Sequence, residues 1–592
     1  MSHISYVGRL MSLQGLEKFV VEKKHGHEIH QLENLNQIRG RMCITGLENV
    51  TSIDDAVKAN IPSKNHLEAL EFQWSSDERV VDDFGLLDAL KPHPNIRGLT
   101  INWFGGSRFP NWITGQNSLK HLTELQLIRC TSVKELPLLP PNLTGLFLNH
   151  IPHLSYFSEN DLLMMEERKQ FMIEALNQVT TYMKSRYMLL LPSSVGSTIM
   201  RFLTFMTEKF EAPDIFIPVG AIKIDSKNDY YFEVELLISW ELYMRFQLET
   251  MLNKNVESKL VLPSSLTRLW ISECSITNDA LSTCIQSLVL LSELQLVEIQ
   301  TLTSLPPEEV LCALQNLRSL YIEDCYLLSS LGGIRVLTSL RELSLKCCFN
   351  WDSSNEKLPA SLEILKFQEC VYADATVNEI LYMGNLGENR RERVLHVGHL
   401  SGLRELAIMG WEGLLEGLDS LTSLWWLTVT SYPGFDLSPS INKCSMRIEN
   451  VLVDDPKLLK KMLSDETISS IEYLSIVDFE GDSIDDEVFQ FLPSLKHLDL
   501  NNCNITHLPM NWINLASLRT IKLDNCPNLH EMILPKNIRE LRIKDCPILS
   551  ENFKNAGSCR VWFDQGTTTV TFPTKAQFAE AGPSGMANEE CY

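Results

Sequence analysis

The residues nearest to a chemical site are His25, His27, Glu28 and His30, which crowd into one short stretch. Imidazoles and carboxylates are ordinary zinc ligands. Their spacing is not His-Glu-x-x-His, by which a helix presents two imidazoles one turn apart. The stretch reads as a polar connector, so a solvated loop is expected and no metal ligand is assigned. Neither Gly-x-Ser-x-Gly nor Gly-x-x-x-x-Gly-Lys-[Ser/Thr] occurs in the sequence. The first would present a nucleophilic serine on a strained turn; the second would cradle phosphates on backbone N–H groups. Gly332-Gly333 lies inside an apolar pattern and replaces neither. The expectation is a chain with no catalytic, cofactor-binding or metal residues, which acts through its surface and not as an enzyme.

Charge narrows the partners of such a surface. The 592 residues carry 75 acidic against 52 basic side chains, a net charge of −23. An acidic body repels phosphate backbones and anionic lipid headgroups over about one Debye length, ~8–10 Å. Proteins are therefore the expected partners, not nucleic acid, membrane or a small-molecule substrate. The first twenty residues have no basic leader with an unbroken apolar core, and no stretch approaches the ~18 apolar residues of a membrane span. The cytoplasm is the expected compartment, with the nucleus as the alternative, and secretion is not expected. In either compartment the 15 cysteines are expected to be reduced thiols.

What positions the surface is a repeat. Apolar-x-x-apolar-x-apolar begins at Leu16, Leu67, Ile96, Leu122 and Leu143, and after a gap twelve more times from Leu266 to Ile538. A period of ~20–29 residues is that of leucine-rich repeats. The fourth and sixth positions lie two apart and point to one face of a short strand, while the third and fifth point to the other. One unit cannot bury its leucines, but stacked units can. The expected fold is an α/β leucine-rich-repeat solenoid, a curved horseshoe with a parallel sheet on its concave face and loops and short helices behind. Cys130, Cys274, Cys325, Cys348, Cys370, Cys503, Cys526 and Cys546 all occupy the ninth position, where the chain leaves the strand and a small buriable side chain fits.

The pattern divides the chain into N-terminal repeats (1–150), an irregular insertion or degenerate repeats, partly helical (151–260), C-terminal repeats (261–550) and a polar, disordered tail (551–592). On the concave face, exposed aromatic and arginine side chains are the types most enriched among binding hot spots. Trp270 and Tyr321, at the fifth position, and the pair Trp425 and Trp426 are the expected anchors. Lys496, Arg519, Lys522, Arg539, Arg542 and Lys544 fall at outward positions of the last repeats and are expected to form a basic strip. Asp499, Asp524, Glu540 and Asp545 stand among them and compensate part of the charge.

Several strings go beyond a generic repeat. Leu47-Glu48-Asn49-Val50 with Asp55-Ala56, then HLEALEFQW at 66–74 and Phe109-Pro110-Asn111-Trp112-Ile113, resemble the start of the repeat domain of plant NLR disease-resistance proteins of the coiled-coil NB-ARC-LRR type. LKHLDLNNC at 495–503 and LRTIKLDNCPNL at 518–529 resemble that family's later repeats. The resemblance implies a recognition module of plant defence that senses a pathogen effector or a guarded host protein and restrains the NB-ARC switch. The sequence at hand resembles the repeat region without the NB-ARC domain, so nucleotide-driven switching is not carried over to it. A non-immune scaffold or adaptor and a truncated product without function are the alternatives.

Overall fold

The computed structural model describes residues 5–75, 83–114, 119–133, 136, 139–151, 262–325, 327–348, 351, 357–368, 394–411, 414–430, 447–530, 532–549, 560–564 and 567–571. They fall into two units, one running through Leu340 and one beginning with the strand at Arg341–Lys346.

The first unit is a ladder of short strands. Its rungs are β1 (Lys18–Val20), β2 (Arg39–Thr45), β3 (His66–Gln73), β4 (Gly98–Asn102), β5 (Glu124–Ile128), β6 (Gly145–Asn149), β7 (Arg268–Ser272), β8 (Glu293–Val297) and β9 (Ser319–Glu323). Each pairs with the next in parallel. Leu125 and Leu127 of β5 are buried and Gln126 between them is not, and the same alternation marks β4, β8 and β9. β2 does not follow the pattern. Ile38 and Met42 stand one residue too far apart, and the register with β3 shifts between Gly40 and Arg41, where Gly40 takes φ +79°. At that shift Glu68 of β3 is passed over in the pairing and Gly40 supplies the left-handed backbone on the β2 side, while the four-residue step from Ile38 to Met42 is what makes the strand illegible in the sequence.

β6 and β7 are neighbours although most of the expected insertion lies between them in the chain. Gly145 to Asn149 match Arg268 to Ser272 residue for residue. The N–H groups of Thr267 and Arg268 donate to Thr144 O at 2.9 and 3.0 Å, and His150 N–H donates to Ser272 O at 3.0 Å. The rest of that segment, 152–261, lies outside the described residues.

The second unit repeats the plan with β10 (Glu342–Lys346), β11 (Ile364–Gln368), β13 (Glu405–Met409), β15 (Trp426–Thr430), β16 (Asn450–Val453), β17 (Tyr473–Val477), β18 (His497–Asn501), β19 (Thr520–Asp524) and β20 (Glu540–Lys544), again parallel and in register. A separate parallel pair, β12 (Val394–His396) with β14 (Leu414–Glu416), stands outside this ladder. Part of the expected polar tail is strand. β21 (Arg560–Asp564) and β22 (Thr567–Thr571) form a hairpin, and β22 runs antiparallel to β20. Residues 579–592 lie outside the described ones.

The ninth-position cysteines behave as the repeat requires. Among the described residues Cys130, Cys274, Cys325, Cys348, Cys503, Cys526 and Cys546 are all buried. The thiols of Cys130, Cys325, Cys348, Cys503 and Cys526 reach the carbonyl of the sixth-position residue one repeat earlier, at 3.4–3.8 Å. Cys347, one position earlier, is disulfide-bonded, so the expectation of reduced thiols throughout fails there. Behind the strands, the described helices are short, the longest being Asn278–Ile285, capped by Thr277 Oγ1 accepting from Ala280 N–H.

Candidate protein-recognition surface

In the first unit the fifth positions form a row across the strands: Glu71, Thr100, Gln126, Phe147, Trp270, Gln295 and Tyr321. Trp270 is 39% exposed and meets Phe147 edge to face at 5.7 Å. Gly145, at the third position, leaves a gap in the row beside it. Arg268 reaches across that gap to Glu124, Nη2 to Oε1 2.5 Å, and lays its guanidinium 6.0 Å from the Phe147 ring centre. The result is an apolar spot with a fixed charged border. Tyr321 lies two rungs away beyond Gln295.

The second unit arranges its anchors differently. Trp425 and Trp426 occupy second and third positions, with rings 5.9 Å apart; Trp425 is 45% exposed. Trp426 stands 5.8 Å from the Tyr473 ring, and Tyr473 stands 6.4 Å from His497. Between Trp426 and Tyr473 in the third-position row is only Asn450. The neighbouring fifth-position row is not open here. Ala407, Thr428 and Ser475 are buried, and the Trp426 indole N–H donates to Thr428 Oγ1 at 3.0 Å. Small residues beside large rings let the aromatics lean over the adjacent row, so the fifth-position row is not continuously exposed in this unit.

The expected basic strip is mostly neutralised in place. Lys496 pairs with Glu472 at 2.6 Å, Lys522 with Asp499 at 3.2 Å, Arg542 with Glu540 at 2.7 Å, and Lys544 with Asp524 at 3.2 Å. The Lys496 ammonium holds the Glu472 carboxyl below its usual range, and Asp524 raises Lys544. Arg519 spends donors on the carbonyls of Ala516 and Leu518, at 2.7 and 2.9 Å. Among the described residues neither Arg519 nor Arg539 meets a carboxylate.

The histidine stretch is dispersed. His25 contacts Glu28 at 3.0 Å, while His27 is buried and bonded to Ser5 Oγ at 2.8 Å. Sequence reasoning missed Tyr473 and His497, although they share the repeat position of Trp426. It also missed a column of left-handed residues directly after the strands. Trp103, Arg129, His150, Glu273, Glu298, Asp324, Cys347, Asp478, Asn502, Asn525 and Asp545 all have φ of 50–62°. Several hand their N–H to the last carbonyl of the next strand, as Asn502 does to Asp524 O at 2.9 Å. The recurrence of Asn and Asp at the eighth position is the signal for it, because short polar side chains tolerate this backbone best.

A family of R13L1/DRL21 leucine-rich repeats matches residues 29–155. Over 131 residues the chain is 38% identical to RGA1 of Solanum bulbocastanum, and over 133 residues it is 32% identical to disease resistance protein RGA2 of the same plant. The fold is that of leucine-rich repeats, and over these stretches the chain is similar to plant disease-resistance proteins. A general leucine-rich-repeat family matches its residues 469–527. RPP13-like protein 1 of Arabidopsis thaliana is 32% identical to the repeat region over 177 residues, 27% of this chain. The matched stretches span 13% of RGA1, 14% of RGA2 and 17% of the RPP13-like protein. Both matching families are repeat families, and neither indicates catalysis. Among solved structures, TLR13 from a complex with ssRNA13 superposes with TM-score 0.40 and 16% identity, covering 87% of this chain and 62% of that one. A Leptospira interrogans leucine-rich-repeat protein gives 0.29 and 13%, covering 86% and 94%. No helix among the described residues is long and apolar enough to cross a membrane.

Proposed function

We propose that this repeat region is a protein-recognition module of plant defence. It binds a pathogen effector or a guarded host protein through its strand faces and restrains a nucleotide-binding switch domain, working in the cytoplasm or nucleus. The observation that carries the reading is the exposure of Trp270 and Trp425 on leucine-rich-repeat ladders, in a chain whose residues 29–155 match the R13L1/DRL21 repeats. Large aromatics on a preformed surface bury much area at little entropic cost on binding.

The test is co-precipitation of the tagged chain from infected leaf tissue, with mass spectrometry of what is retained, for the parent and for Trp270→Ala with Trp425→Ala. Recovery of an effector or a nucleotide-binding switch protein by the parent, and its loss from the variant, supports the reading. Recovery of housekeeping signalling proteins alone would point to a scaffold.

A further inference from the structure

The ridge of rings in the second unit and the two bare arginines lie along one edge of one ladder. Trp425 and Trp426 enter at β15, Tyr473 at β17 and His497 beside β18. Arg519 and Arg539 follow at the same repeat position as Trp425, on adjacent rungs: Arg539 N–H donates to Arg519 O at 2.8 Å. Rungs are ~4.8 Å apart, so four to five steps from β15 cover roughly 19–24 Å. That is the reach of about six or seven extended residues.

The charges along this edge are ordered. Glu449 and Glu472 come between the tryptophans and the arginines; Arg447 contacts both, and Lys496 holds Glu472. Among the described residues of this edge, the cations without a carboxylate are at the far end. The Arg519 guanidinium is fixed by two backbone carbonyls and keeps further donors for an incoming group. In a chain of net charge −23, adjacent guanidiniums without carboxylates are a local reversal of sign.

We propose that this edge binds an extended acidic peptide segment, whose apolar side chain seats on Trp425 and Trp426 and whose carboxylates pair with Arg519 and Arg539. The proposal deepens the recognition reading and rests on it. An aromatic or aliphatic side chain packs on the indoles with its neighbours exposed, and carboxylates about six residues on meet guanidiniums in the bidentate geometry that arginine favours. A single-stranded nucleic acid suits the edge less well. It would carry a phosphate at every step and pass Glu449 and Glu472, whereas a peptide places its charge at one end only.

The experiment measures binding of rhodamine-labelled peptides to the full chain by fluorescence anisotropy. The panel carries Phe, Leu or Trp followed after about five to seven neutral residues by two aspartates, with the reversed sequences and the Asn-for-Asp versions as comparisons. The expected result is saturable binding of one orientation, weakened at least tenfold by Arg519→Gln with Arg539→Gln, by Trp425→Ala, or by the Asn-containing peptide. Lys460→Gln, whose lysine lies on the Lys457–Met462 helix and is already paired with Glu487, should leave affinity unchanged. These side chains are at the surface, and circular dichroism checks that each variant is folded. Equal binding by the arginine variant, indifference to orientation, no binding by any panel member, or displacement of peptide by an oligouridine would overturn the proposal. If the arginine variant still captures the parent's effector or switch protein from leaf tissue, the recognition reading survives and this site for it does not.

Discussion

His150 Nδ1 lies 2.6 Å from Glu273 Oε2, although 123 residues separate them in the chain. Both are eighth-position residues of adjacent rungs, so the contact follows from the direct pairing of β6 with β7. A repeat needs only ~20–29 residues from rung to rung. Replacing 152–261 with a flexible linker of about ten residues should therefore leave the ladder paired. The melting temperature should fall by no more than a few degrees; loss of cooperative unfolding would show that the segment is needed to hold the rungs together.

The same pair gives an acid response. The hydrogen bond from His150 holds the Glu273 carboxyl below its usual 4.5. The folded state then binds fewer protons than the unfolded one, so this stabilisation is present above the unfolded carboxylate range and is lost as pH falls below about 4.5. Glu273→Gln should flatten the decline of melting temperature between about pH 5 and pH 3. An unchanged decline would assign it to other carboxylates.

Lys64 is fully buried, its Nζ donating to Leu32 O at 2.7 Å and Asn60 O at 3.4 Å. Burial lowers its ammonium from 10.5 to about 8. Between those values the unfolded chain holds the extra proton, so stability rises with pH across the window and the penalty is fully present below it. Lys64→Met should stabilise the protein by about 1–2 kcal/mol at neutral pH, the relief of a buried charge offset by lost hydrogen bonds. It should also remove part of the rise between pH 8 and 10, as read by urea unfolding. Destabilisation at neutral pH would mean that the carbonyl bonds outweigh the burial cost.

Asn502 has φ 54°, donates to Asp478 Oδ1 at 2.6 Å and accepts from Asn525 Nδ2 at 2.7 Å. Asn502→Gly and Asn502→Val both lose these bonds, but only valine is strained by the left-handed backbone. Denaturant unfolding should place the valine variant about 1–2 kcal/mol below the glycine variant. Equal stabilities would show that the rung can shift its backbone.

Burial pushes the Cys130, Cys274, Cys284 and Cys325 thiols up to about 12, while Cys312 is exposed. The thiolate is the reactive form. With a chromogenic disulfide at pH 8, Cys312 should react within minutes and those four only on unfolding. Peptide mapping of the labelled protein distinguishes them, and early label at Cys274 would contradict the packing described for it.

The repeat was legible because its physics is periodic: every first-position residue from Leu16 to Ile538 is buried. β2 was hidden by the four-residue step from Ile38 to Met42, which breaks the spacing and not the strand. The surface was less legible because outward side chains are set by their neighbours on other rungs. Lys522 looked available until Asp499 was found beside it, and Trp426 became part of a ridge only once Tyr473 stood two rungs away. Among the described residues Arg519 and Arg539 differ from the other four cations in meeting no carboxylate, a property of pairing that no single position reveals.

A stack of parallel rungs has no intrinsic length: whatever docks on its last edge presents the same edge again, and two molecules can join end to end as readily as two repeats. The hairpin breaks that self-similarity by covering the β20 edge: β22 pairs with β20 antiparallel and β21 closes on β22, so the last rung's own hydrogen-bonding edge is already used. Deleting 560–571 should thus show itself first as concentration-dependent filaments or aggregates rather than as a lower melting temperature. On this view the hairpin keeps a polymer-like architecture a single molecule.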